Sequence, residues 1–340
     1  EAVGNDLRIG MPLGLGKPNQ LINAIYARAK ANPELSVTIL TALSLEKPRW
    51  GNSVEKRFMQ PFVQRVFGDC PDLDYAVDCA ANKLPENVTV KEFFFAPGSR
   101  LNKPSAQHHY ISSNYTHAAR DVFAQGCNVV TQIVGLRETD NGPMVSLSCN
   151  PDTGPELMGM LEASGRNYVA VAQVNQNLPY MEHDAEVSPD VFDIIVDHES
   201  LYTQLFSTPK TAVGTADYMI GLNASGLIKD GGTLQIGIGA LGDAITYCTR
   251  LRHEENGEYS QLLDDSGIAD ASGDLIDEVG GTAPFGEGLY GATEMFVDGF
   301  YELYKAGILK RRVYDFWALQ QLINEGRVDE NNVTPKVFEY

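Results

Sequence analysis

Two glycine-rich turns carry the backbone pattern best suited to binding a charged group. Gly14 and Gly16 precede a predicted helix, while Gly237, Ile238 and Gly239 follow a predicted strand and precede another helix. Glycines let a ligand approach the backbone, and the N–H groups that begin the next helix can hold an anion or a developing oxyanion. Such turns also serve as plain strand–helix connections, so both interpretations stay open here.

One carboxylate, that of Glu294, lies in unusual surroundings. It stands between a glycine-bearing turn near residue 291 and an apolar helix that is predicted to begin near residue 296. A negative charge in the first turn of a helix is stabilised by the helix dipole. From composition alone, this structural role is the favoured interpretation of Glu294.

Other catalytic and cofactor-binding patterns are missing from the sequence. Neither glycine turn matches a dinucleotide fingerprint or a phosphate-binding loop, and no GxSxG is present. His108 and His109 are adjacent and would point apart on a strand, and the remaining histidines are isolated. We therefore expect no metal site and no permanently bound cofactor.

The composition limits the possible partners and the location. The 340 residues include 45 acidic and 26 basic side chains, which give a net charge of −19. A chain this acidic repels nucleic acid, and no apolar stretch reaches the roughly 18 residues of a membrane-spanning helix. Five scattered cysteines fit the reducing cytoplasm. We expect a cytoplasmic protein without nucleic-acid or membrane partners.

Strand and helix patterns alternate along the chain, which indicates an α/β fold around a mainly parallel sheet. A break near residue 205 predicts an N-terminal domain over 1–205 and a second domain over 206–340. Residues 253–288 are rich in Gly, Asp, Glu and Ser, and they predict an exposed excursion. Helices are predicted over 18–31, 52–67, 114–124, 155–164, 213–224, from 243, over 296–306 and over 315–324. Strands are predicted over 36–41, 128–134, 145–148, 168–174 and 233–238.

Four short motifs follow one another along the chain. In this combination they resemble the acetyl-CoA hydrolase/CoA-transferase family, which includes 4-hydroxybutyrate and succinyl-CoA:acetate CoA-transferases. The resemblance extends from residue 8 to about residue 312. The motifs are Gly14-x-Gly16-x-Pro18, Val171–Pro179, Leu234–Ala240 with Asp243-Ala244, and Thr293-Glu294-Met295 with Asp298-Gly299.

The resemblance implies an acyl-CoA:carboxylate CoA-transferase, or an acyl-CoA (acetyl-CoA) hydrolase, that acts through a glutamyl-CoA thioester. It assigns the nucleophile to Glu294 and the oxyanion-binding backbone to Gly237, Ile238 and Gly239. Coenzyme A is then a substrate, and an acyl-CoA and a small carboxylate are the partners. The resemblance further places substrate-binding residues at Gln235, Gly14, Gly16 and Asn175.

The family's fold consists of two similar open α/β/α domains with the site between them. Residues 253–288 interrupt the family's spacing between the glycine turn and Glu294, and Ala292 replaces the family's histidine. The family also continues past the glutamate through a second glycine-rich segment. We therefore expect an incomplete second domain and a homo-oligomer. The chain is expected to be either part of a longer protein or an unusual member of the family with the remainder elsewhere.

Two other function classes remain open. A chain without the family's C-terminal elements could bind CoA esters, or assemble, without turnover. A sugar-phosphate isomerase shares the broad α/β shape and uses a carboxylate as a base, although that chemistry does not require the Thr-Glu-Met and Gly-Ile-Gly motifs together.

Overall fold

A computed structural model describes residues 2–140, 142–206, 210–293, 295–335 and 337. The chain divides into two compact units, Glu1–Pro209 and Lys210–Tyr340, and the boundary inferred from sequence falls just before this division. The predicted α/β class is confirmed. Among the helices of the described residues, none is both long and apolar enough to cross a membrane.

The first unit is built on a mixed sheet. Its parallel strands run in the order β3-β2-β1-β4-β6-β8, and the second half of β4 pairs antiparallel with β5, which pairs with β7. In the described residues its strands are β1 (Asp6–Gly10), β2 (Ser36–Thr41), β3 (Val88–Glu92), β4 (Val129–Thr139), β5 (Gly142–Ser146), β6 (Val169–Val174), β7 (Glu186–Val187) and β8 (Ile194–Val196).

Helices cover both faces of this sheet. In the described residues, the helices of the first unit are α1 (Asn19–Ala31), α2 (Ser53–Phe67), α3 (Asp74–Ala80), α4 (Pro104–His108), α5 (Ala118–Ala124) and α6 (Gly154–Ser164). Ile22 and Tyr26 of α1 share one core with Ile9 and Ile39, and Leu157 of α6 belongs to the core on the other face. Burying each such side chain contributes about 1.5–3 kcal/mol. The expectation of a strand at His108 and His109 is wrong. These residues lie at the end of α4, a helix that has Pro104 in its first turn.

The second unit contains, in the described residues, two parallel strands and a set of helices. Gly221 lets α7 approach α8, because a Cβ there would lie 2.7 Å from the Ala244 carbonyl oxygen. The strand predicted over 233–238 ends at Gln235 in the structure, because the glycine turn that follows is no longer paired with the neighbouring strand. The elements are α7 (Thr215–Gly226), β9 (Thr233–Gln235), α8 (Ala240–Glu254), α9 (Asn256–Asp265), α10 (Ile268–Val279), β10 (Tyr290–Ala292), α11 (Asp298–Lys305) and α12 (Trp317–Asn324).

The prediction that residues 253–288 form an exposed excursion is wrong, because helices α9 and α10 occupy most of this segment. Tyr259, Leu263 and Ile276 are buried in one cluster with Leu222 of α7 and Cys248 of α8. Several of the few apolar residues of this acidic segment recur at helical spacing, and those on the inner faces of α9 and α10 reach the core. The segment therefore contributes part of the second unit's interior.

A carboxylate fixes the turn that follows α10. Asp230 accepts hydrogen bonds from the backbone N–H groups of Gly231, Gly286, Glu287 and Gly288, at 2.8–3.1 Å. Burial raises the pKa of Asp230, but these hydrogen bonds together outweigh burial and hold the pKa below its ordinary value. The Asp230 carboxylate thereby positions the chain that leads into β10.

Candidate functional site

The glycine turn after β9 presents open backbone donors. Gly239 adopts φ 121°, a conformation that glycine tolerates and other residues rarely adopt, and α8 begins directly after it. Among the described residues, the N–H groups of Ile238, Gly239 and Ala240 have no acceptor. Gly237, Ile238 and Gly239 are exposed. Together with the positive end of the α8 dipole, these donors can hold an anion or an oxyanion.

Strand β10 brings the second motif to the same edge. Ala292 is in register with Gln235 at the carboxyl ends of two parallel strands. The Thr293 hydroxyl lies 3.1 Å from the Ile236 carbonyl oxygen and 2.6 Å from the Met295 carbonyl oxygen, so its single proton can bond to either. Thr293 thus links the chain after β10 to the chain after β9. Glu294, the predicted nucleophile, lies outside the described residues.

The Asp298-Gly299 pair of this motif has a packing role. A Cβ at Gly299 would lie 2.4 Å from Thr246 Oγ1 and 2.9 Å from Ile236 Cδ1, so only glycine lets α11 begin against α8 and the chain after β9. Asp298 forms an exposed ion pair with Lys210, and exposed pairs contribute little stability. Gly299 is therefore the member of the pair that sets the position of α11.

The first glycine turn lies at a topological switch point, which sequence reasoning did not identify. Strand β1 lies between β2 and β4, so successive strands are added in opposite directions from it. In open α/β sheets, ligands bind at the carboxyl ends of strands at such points. The Gly14–Gly16 turn follows β1 at this edge. Gly16 is buried, and a Cβ there would lie 2.4 Å from the Asn150 carbonyl oxygen.

Lys17 is an unexpected member of this region. It is 5% exposed, and its Nζ donates hydrogen bonds to the Pro12 carbonyl, the Thr41 hydroxyl and the Ala42 carbonyl at 2.5–2.7 Å. Burial lowers the pKa of Lys17 to about 8, against the opposing charges of Glu92 and Asp152. Its only signal in the sequence was a lysine directly after the glycine turn.

Asn175 follows β6 and is buried. Its Nδ2 donates to the Thr203 carbonyl oxygen at 3.0 Å, and its Oδ1 accepts from the Asn177 N–H at 3.0 Å. Asn175 and Gly14 border one cavity of ≈ 20 Å³, about the space of one water molecule. These hydrogen bonds give Asn175 a role in shaping the loop around residue 203.

The structure thus places the predicted site residues in two groups. Gln235, Gly237, Ile238 and Gly239 lie together in the second unit, and Gly14, Gly16 and Asn175 lie together in the first unit. Among the described residues, no three His, Cys, Asp or Glu side chains are grouped so that they could hold a metal ion.

Sequence comparison identifies one relevant relative. No family model matches the chain. Over 98 residues the chain is 35% identical to 4-hydroxybutyrate coenzyme A transferase of Clostridium kluyveri, which corresponds to 28% of this chain and 22% of the relative.

Solved structures share the fold. RipA from Yersinia pestis matches 91% of this chain with a TM-score of 0.59 and 15% identity, and a single-residue variant of RipA matches with a TM-score of 0.58. The chain spans only 57% of the length of these structures. At this identity, the likeness establishes the fold. The partial sequence relative, a 4-hydroxybutyrate coenzyme A transferase, supports the resemblance of the chain to the acetyl-CoA hydrolase/CoA-transferase family.

Proposed function

We propose that this chain contributes to acyl-CoA chemistry, moving coenzyme A between an acyl-CoA and a small carboxylate or releasing it by hydrolysis. The observation that carries the proposal is the meeting of two motifs at one sheet edge. The open N–H groups of Ile238 and Gly239 follow β9, while Thr293 and Met295 follow the neighbouring β10. The partial relative, a 4-hydroxybutyrate coenzyme A transferase, supports the same chemistry.

In the proposed reaction, a Glu294 carboxylate oxygen attacks the thioester carbonyl carbon. The tetrahedral intermediate collapses to a mixed anhydride and CoA thiolate. The thiolate then attacks the glutamyl carbonyl, which releases the first carboxylate and leaves a glutamyl-CoA thioester. An acceptor carboxylate reverses these two steps, whereas water instead completes a hydrolysis. Each attack develops an oxyanion, so preorganised donors lower each barrier.

We assign the donors to the backbone N–H groups of Ile238 and Gly239. One such donor typically contributes a factor of about 10² to 10³ in rate. Gln235 is exposed at the same edge, and we propose that it contacts the acyl or carboxylate group. Gly14 and Gly16 are proposed to border the substrate, and Asn175 is proposed to shape that border through the Thr203 loop.

The test detects the covalent glutamyl-CoA intermediate directly. The chain is incubated with acetyl-CoA and an isotopically labelled carboxylate, then digested and searched by mass spectrometry for coenzyme A on the peptide that contains Glu294. We expect the adduct and label exchange in the unsubstituted chain, and a loss of exchange of about 10³-fold in Glu294→Gln, since an amide cannot form the anhydride.

Glu258→Gln, at an exposed position on α9, is the matched control and should retain both signals. Exchange within tenfold of the unsubstituted chain in Glu294→Gln would exclude Glu294 as the nucleophile. The ratio of labelled acyl-CoA to free coenzyme A separates transfer, which leaves coenzyme A esterified, from hydrolysis, which releases it.

A further inference from the structure

Helix α2 has an exposed face that is both apolar and basic. Val54 is 64% exposed and Phe58, one turn later, is 81% exposed. The helix is nevertheless well formed at its start, where the Asn52 side chain accepts hydrogen bonds from the N–H groups of Val54 and Glu55. In a chain with a net charge of −19, α2 carries three basic residues and one acidic residue.

The positions of these residues form two neighbouring rows. Val54 and Phe58 form an apolar row with helical i, i+4 spacing. Arg57 and Arg65 lie in a neighbouring row of the same spacing, and this basic row precedes the apolar row by one residue. Both arginines are exposed, and neither has an ionic partner among the residues that the structure describes.

Helix α10 presents the opposite charge with the same pattern. Leu275 is 48% exposed and Val279 is 43% exposed, again at i, i+4 spacing. Asp270, Asp274 and Glu278 form an exposed row that precedes the apolar row by one residue. Residues 254–279 contain nine acidic residues and neither lysine nor arginine. Within the described ranges, the three acids of this row have no ionic partner.

We propose that α2 of one copy of the chain docks against α10 of a second copy. Apolar rows would meet at the centre of this contact, and the arginine row would face the acidic row. Because the charged row precedes the apolar row by one residue on both helices, the two charged rows lie on the same side when the helices run antiparallel. Charge complementarity selects the pair, and the buried apolar rows provide most of the affinity.

Charge reversal tests the pairing directly. The Arg57→Glu/Arg65→Glu chain places like charges together, as does the Asp274→Lys/Glu278→Lys chain. By sedimentation from 1 to 100 µM, we expect the unsubstituted chain to associate and each reversed chain to associate at least tenfold more weakly. A mixture of the two reversed chains brings a mainly basic row against an acidic row at each contact between unlike chains, so its association should return close to the unsubstituted level.

Matched controls separate this effect from a general change in charge. Arg28→Glu and Glu34→Lys alter exposed residues outside both helices and should leave the association unchanged. Phe58→Ser should weaken association by tenfold or more while circular dichroism shows that the fold is retained.

Several outcomes would overturn the proposal. An unsubstituted chain that stays monomeric at 100 µM contradicts it, as does a mixture that fails to associate. The reversed chains could lose thermal stability while their mass in solution stays that of the unsubstituted chain. The contact would then lie within one chain or with another partner, and docking between copies would be refuted.

Discussion

Lys17 shows how one residue links elements that are distant in sequence. Its ammonium joins the backbone after β1, at Pro12, to the end of β2, at Thr41 and Ala42. These acceptors are neutral, so the charge is compensated by dipoles rather than by a contacting carboxylate. Burying a cation in this way costs free energy unless the hydrogen bonds are complete.

The low pKa of Lys17 leads to a pH-dependent stability. Between about pH 8 and pH 10.5 the unfolded chain keeps this proton while the folded chain has released it, so the free energy of unfolding rises with pH in that window. Relative to Lys17→Met, the unsubstituted chain should gain up to about 3 kcal/mol from pH 7.5 to 10.5. Urea unfolding of both proteins at several pH values measures this gain.

Lys83→Met, at an exposed position, is the control and should show no comparable trend against the unsubstituted chain. A difference between Lys17→Met and the unsubstituted chain that stays constant over this range would mean that Lys17 titrates like an exposed lysine.

Sequence patterns predicted residues whose roles are local and missed those that depend on long-range contacts. The glycine turn at Gly237–Gly239 is recognisable because its backbone geometry is encoded within a few residues. The burial of Lys17 depends on acceptors more than twenty residues away in the sequence, at Thr41 and Ala42. No periodicity reports such a contact. The positions of Gln235 and Thr293 at one edge likewise require the β9–β10 pairing.

At the scale of elements, helices α9 and α10 form part of a core rather than an insertion at the surface. Leu263 is buried on α9, while its neighbour Leu262 is exposed. We expect Leu263→Ala to lower the free energy of unfolding by about 2–5 kcal/mol, because it leaves a cavity. Leu262→Ala should change it by only about 0.5 kcal/mol. Chemical denaturation of the two variants compares them, and equal small effects would contradict the burial of α9.

Most other elements were predictable because their patterns are dense. Strand β2 is a β-branched run that spans the predicted residues, and helix α1 has apolar residues at regular helical spacing after Pro18. Helices α9 and α10 escaped prediction because acids and glycines outnumber the few apolar residues that make contact. Such a sparse pattern is weak in sequence, yet the four large apolar residues of α9 and α10 that are buried suffice to join these helices to the core.

At the scale of the whole molecule, the net charge of −19 opposes compactness through self-repulsion. Raising NaCl from about 0.02 M to 0.5 M shortens the screening length from tens of ångströms to a few and should raise the melting temperature at pH 7.5. The increase should shrink near pH 5, where carboxylates begin to take up protons. Calorimetry at both pH values tests this, and a fall in melting temperature with salt at pH 7.5 would show that specific ion pairs dominate.

The backbone hydrogen bonds that Asp230 accepts affect how readily a protease can cleave the chain. Residues 280–288 are rich in glycine, and such a stretch is usually an easy cleavage site. A protease must draw out an extended segment, and here the N–H groups of Gly286, Glu287 and Gly288 are held by one carboxylate. At neutral pH, cleavage therefore requires that the hydrogen bonds to the Asp230 carboxylate break first. Asp230 makes a glycine-rich connection durable without enclosing it in regular secondary structure.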